Sequence, residues 1–133
     1  MMNSRNLKII LAGVFVLIVL TCAFFYKIKS DIRAKRFYKQ GIELYNQEKY
    51  SDAYYNFKQI KSFTSMYKLA LIKEYQCAMR LSDKKSALIK LSALVKVIKD
   101  DNIRPYILYN ETVLAQDMTK DSKNTSYKKY KQI

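Results

Sequence analysis

Hydrophobic and polar positions follow three regimes along the chain. Residues 9–26, IILAGVFVLIVLTCAFFY, are 18 consecutive positions without a charge. As a helix rising about 1.5 Å per residue they span about 27 Å of a hydrocarbon layer about 30 Å thick. From 32 to 118 the apolar residues recur every three or four positions, and polar turns rather than Gly-Pro clusters separate the segments, which is the pattern of amphipathic helices. Five helices fit: 32–46, 50–62, 66–80, 84–99 and 103–118. N-caps are expected at Ser65, Asp83 and Asn102, with Pro105 in a first turn where its missing N–H costs little. No stretch alternates with period two over a strand's length, so the predicted fold class is all-α. The chain divides into a short N-terminal tail (1–8), a transmembrane anchor (9–26), a basic juxtamembrane segment (27–31), a helical domain (32–118) and a basic, disordered tail (119–133).

The anchor has two competitors. A cleaved signal peptide has a shorter apolar stretch, about 7–15 residues, and ends at a small-x-small site that is missing here. Thr21-Cys22-Ala23 is loosely similar to a bacterial lipobox, but Thr21 replaces the usual small residue and Ala23-Phe24-Phe25-Tyr26 stays apolar where a lipoprotein turns polar. An uncleaved single-pass anchor fits better. A literal count of flanking cations places the body in the cytoplasm. Large domains translocate largely regardless of charge, however, and Arg5 and Lys8 resist export of the short tail, so the body is assigned to the periplasmic or outer face.

Composition narrows the chemistry. The 133 residues contain no His, two Gly and two Cys. Without histidine the usual general base, the commonest metal ligand and every Ser-His or Cys-His pair are missing, and Gly13 and Gly41 cannot build a phosphate-cradling loop. Asp100-Asp101 lies at a helix junction where capping accounts for it, leaving Glu111 without a partner for acid-base work, and Cys77 reads as a buried packing thiol. No catalytic residue, cofactor or metal is expected, and the chain reads as a non-enzyme. The net charge of +14 is +7 over residues 1–39, +3 over 40–118 and +4 over 119–133. The excess therefore belongs to the flanks. A near-balanced body argues against nucleic acid, whereas Lys27 to Lys39 and the tail cations Lys120, Lys123, Lys128, Lys129 and Lys131, interleaved with Tyr127 and Tyr130, suit anionic lipid headgroups. A solvated tail is the alternative.

Self-similarity recurs at 34 residues, pairing Phe37 with Leu71, Leu44 with Ala78, Ala53 with Ala87, Phe57 with Leu91, Ile60 with Leu94 and Tyr75 with Tyr109. A 34-residue period is that of tetratricopeptide repeats. The unit FYKQGIELYNQEKYSDAYYNFKQI resembles that family at Phe37, Gly41, Tyr50, Ala53 and Phe57. Gly41 and Ala53 are the small faces that let two helices approach, and Phe57 fills the gap toward the next pair. In the second unit Tyr75 stands where the small residue belongs, so that pair is expected to separate or shift. A general helical bundle is the alternative architecture. The resemblance covers 36–118 and implies a concave groove lined by Tyr38, Ile42, Tyr45, Asn46, Leu69, Ile72, Gln76, Met79, Arg80, Tyr106, Asn110 and Val113. Tyr38 and Ile42 replace the Lys and Asn that grip a terminal carboxylate in chaperone-tail binders. The groove thus suits the apolar face of a peptide, unless its aromatic stripe is core.

These readings converge on a membrane-anchored adaptor or scaffold for protein–protein interaction in the bacterial cell envelope. IRPYILYNETVLAQ is also similar to the superhelical region of soluble lytic transglycosylases. The sequence ends before a sugar-cleaving domain, so that resemblance implies a peptidoglycan-associated fragment or remnant without the activity. A third reading resembles the mitochondrial import receptor that has an N-terminal anchor and one tetratricopeptide-like unit.

Overall fold

Pro105 is the chain's one proline and Gly13 the one glycine before position 41, so nothing interrupts a helix until the polar turn at 47–49. The computed structural model describes the backbone of residues 4–130 and the side chains of 8–121. In it α1 runs unbroken over Ser4–Asn46, a rod about 65 Å long. The apolar run 9–26, the basic segment 27–31 and the first body helix are one helix. Helices α2 (Tyr50–Lys58), α3 (Tyr67–Arg80), α4 (Lys84–Val97) and α5 (Arg104–Tyr130) follow, with no strand among the described residues. The fold is all-α. α1 is also long and apolar enough to cross a membrane, and none of its most apolar window is buried within the protein.

Each helix packs against its neighbours in sequence, and α1 also touches α3. The two short turns are copies of each other 34 residues apart. Glu48 and Ser82 both adopt positive φ, 61° and 58°. Lys49 N–H donates to Leu44 O (3.0 Å) as Asp83 N–H does to Ala78 O (2.9 Å), and Glu48 N–H donates to Tyr45 O as Ser82 N–H does to Met79 O. This is the paired closure of a helix C-terminus around a left-handed residue, which satisfies carbonyls that the helix leaves open. The buried positions repeat as well: Ala53 and Ala87, Phe57 and Leu91, Ile60 and Leu94.

Several sequence expectations need correction. α2 stops at Lys58 rather than 62, and Thr64 in the connection that follows offers the backbone a hydroxyl partner, its Oγ1 donating to Lys61 O at 2.7 Å. Asp83 caps α4 by accepting from Ser86 N–H at 3.0 Å. Ser65 does not cap α3, whose N-cap is Met66 with no side-chain capping bond; its N–H and Oγ both donate to Asp31 Oδ1, and the turn before α5 is closed by Asp100 accepting from Asn102 N–H. α3 and α4 do not separate. Ala78 and Ala87 belong to one core cluster, 1% and 0% exposed, and Tyr75 packs half-buried against it. α5 continues to Tyr130, where a disordered tail is expected from 119; no Gly or Pro follows Pro105, and Lys84 ties Asp117 and Asp121 of the helix to the start of α4. The side chains of Arg5, Lys123, Tyr127, Lys128, Lys129, Tyr130 and Lys131 lie outside the described residues.

Candidate functional site

The eight central groove candidates separate into three groups. Tyr38 and Ile42 pack half-buried into the first core cluster, and the Tyr38 ring lies 5.6 Å from that of Phe57. Burial accordingly raises the Tyr38 hydroxyl above its ordinary value. Tyr45 and Arg80 belong to a cation–aromatic cluster joining α1, α2 and α3. The Tyr45 ring meets Tyr50 edge-on at 5.2 Å, Lys73 Nζ sits 5.0 Å from it, and the Arg80 guanidinium lies 6.0 Å from the Tyr50 ring. A hydrogen bond with Tyr45, with Tyr50 nearby, raises the Arg80 pKa further. Both arginine and lysine gain here from the negative ring faces.

The remaining four, Gln76, Met79, Tyr106 and Asn110, converge between α3 and α5. α5 rests on α4 through Ile107 and Leu114, and its backbone stays clear of α3. Two adjoining clefts open there, sharing Tyr75 and Asn110. One, of about 280 Å³, has Leu91, Leu94, Ile98 and Ile107 as apolar walls, with Ile72, Gln76 and Tyr106. The other, of about 320 Å³, is lined by Met79, Val113, Leu114, Asp117 and Lys120. Met79 (44% exposed) and Tyr106 (68%) stand at the openings. Asn110 is oriented by donating to Tyr106 O at 2.7 Å. Gln76 Oε1 is buried with no hydrogen-bond partner among the described residues, which for a buried acceptor costs about 1–3 kcal/mol. Burial, then Tyr106 close by, raises the Tyr75 hydroxyl. Of the other groove candidates, Ile72 and Val113 line these clefts, whereas Leu69 and Asn46 are exposed away from them.

No family model, curated protein or solved structure matches the chain. The chemistry of its surfaces is therefore the ground for a functional reading. Tyr75 enters the candidate site only through the structure. Its place in the repeat marks it as a departure, and its cleft neighbours on α5, from Tyr106 to Lys120, are more than 30 positions away from it. Glu74 and Lys90 were silent in the sequence for the same reason. They form an ion pair between α3 and α4, with Lys90 also 5.7 Å from the Tyr54 ring of α2.

Proposed function

We propose that the chain is a non-enzymatic, single-pass membrane protein of the bacterial envelope whose tetratricopeptide-like body holds a partner segment in the opening between α3 and α5. The observation that carries this reading is the opening itself. It combines apolar walls, an aromatic and a methionine at the rim, and a buried acceptor in Gln76 that a backbone N–H of an incoming peptide could satisfy. Tyr brings large contact area with few rotors, and Met adapts its shape, so both favour the apolar face of a peptide. Support for the repeat architecture comes from the duplicated turns, and support for anchoring from the exposed apolar length of α1. The cations of the N-terminal tail, which resist its export, support a body on the periplasmic or outer face.

A photo-crosslinking residue placed in the full-length protein at Met79 or Tyr106 should trap a discrete partner in cells, while the same residue at exposed Ile89 on α4 should not. Tyr106→Ala should then weaken binding of that partner by about thirtyfold, the loss of a real anchor of about 2 kcal/mol. Equal trapping from all three positions would return the cleft to ordinary helix surface.

A further inference from the structure

We propose that the cleft between α1 and the α2–α3 connection binds the phosphate group of an anionic phospholipid. The proposal rests on reading 9–26 as a membrane anchor, and it narrows the basic flank of α1 to a defined site that Lys61, from outside that flank, completes. The two helix pairs differ at this point. α4 runs to Val97, whereas its counterpart α2 stops at Lys58, five residues earlier in the repeat. The freed residues fold back onto α1. Ser65 N–H and Oγ donate to Asp31 Oδ1 at 3.0 and 3.4 Å, and the Phe63 ring lies 6.0 Å from that of Tyr26.

This return creates a cleft of about 250 Å³ to which α1 contributes Lys29 and Arg33, one helical turn apart, and the connection contributes Gln59 and Lys61. Three cations from two elements face one space, and its lining holds no carboxylate. Asp31, on the same turn of α1, is already engaged by Ser65. The depth is also appropriate. Tyr26 ends the apolar run, and Lys29 follows about 4.5 Å farther along the axis, within the headgroup layer of about 5–7 Å outside the hydrocarbon core; Arg33 follows at about 10 Å, just beyond that layer, with its Cα–Cβ bond tilted toward the N-terminus of α1 and so back toward the bilayer. Phe63, 48% exposed, and Tyr26 form an aromatic pair at that boundary, where such rings are enriched. A phosphodiester offers what three convergent donors require, a delocalised negative charge with several acceptor oxygens.

The test uses the full-length protein. Integration is read first, as resistance to alkaline extraction from vesicles. Lipid binding is then read by native mass spectrometry in detergent, titrating phosphatidylglycerol against phosphatidylcholine. Phosphatidylglycerol should bind at least fivefold more tightly. Arg33→Gln with Lys61→Gln should weaken it about 25-fold, given roughly fivefold for each cation beside an anionic group. Arg33→Lys with Lys61→Arg should keep binding within twofold of the parent, as should Lys85→Gln with Lys96→Gln, which removes the same charge from exposed α4. Inorganic phosphate should not displace the lipid; full displacement at equal concentration would identify a soluble phosphate site and overturn the lipid assignment. Equal losses in the two neutralised pairs would reduce the effect to net charge and overturn the cleft. Extraction of the parent by alkali would overturn the anchor, whereas stable integration without lipid discrimination would overturn the cleft alone.

Discussion

At position 41 the space for a single methyl group decides how closely two helices approach. A Cβ there would lie 2.6 and 2.7 Å from Phe57 Cε1 and Cζ. That ring is fully buried and braced by Tyr38, so it has little room to yield. Gly41→Ala gains about 1 kcal/mol of helix propensity but meets an overpacking cost of about 1–3 kcal/mol, and net destabilisation is expected. Phe57→Leu should relieve the clash. In denaturant melts of the full-length protein in detergent, Gly41→Ala with Phe57→Leu should therefore lose less than the sum of the single changes; strict additivity would show that the two residues do not share this space. Gly41, Ala53 and Phe57 could be read from the sequence because small and large residues at fixed spacing have one use in a close helix pair. Tyr75 could not. Its side chain packs half-buried against the α3–α4 core and lines the α3–α5 opening, and only the positions of those helices reveal that room.

Between elements, the Glu74–Lys90 pair binds α3 to α4 and, through Tyr54, reaches α2. Glu74 is 3% exposed. For Lys90 burial works against the charge, but the Glu74 hydrogen bond and carboxylate, with Tyr54 adding, leave the pKa raised overall. Removing one partner of such a pair leaves a buried charge uncompensated. Lys90→Met should cost about 3 kcal/mol, toward the lower end for a pair with one partly solvated member. Adding Glu74→Leu should recover most of that loss, as followed by thermal unfolding in detergent. A double variant as unstable as Lys90→Met alone would mean that packing rather than charge is responsible. Along each helix these residues look like ordinary solvated charges. Sixteen positions apart, they come into contact only when α3 and α4 fold together.

For the whole molecule, the perturbed groups of the body set an alkaline limit. Burial pushes the Cys77 thiol from 9.0 to about 11, with Lys73 opposing and Glu74 adding, and burial also raises Tyr38 and Tyr75. Lys90 is raised as well. In each case the folded state holds its proton more tightly than the unfolded chain. The stabilisation is therefore complete below the unfolded pKa and disappears as pH rises through the folded one. Melting temperature should stay flat up to about pH 8 and fall between 9.0 and about 11, the window of Cys77. Cys77→Ala should start lower, because it leaves a small cavity, but decline less across that window. An unchanged slope would remove the thiol as the first group to act.

Helix content, the apolar length of 9–26, the 34-residue turns and the small residues of the first pair were all decided locally. Helical hydrogen bonds join residues four apart, and amphipathic spacing needs only a few turns to declare a buried face. The sequence also placed Gln76, Met79, Tyr106 and Asn110 among the groove candidates, but with Tyr38, Ile42, Tyr45 and Arg80, which the fold assigns to packing and to a cation–aromatic cluster. Only tertiary structure could make that division, because it depends on how far α5 stands from α3. It likewise brought Lys61 beside Lys29 and Arg33, since the return of 59–66 onto α1 is held by contacts such as Ser65 with Asp31, 34 residues apart. Periodicity determines which face of a helix is apolar; the packing of distant side chains determines which faces stay open and which charges meet.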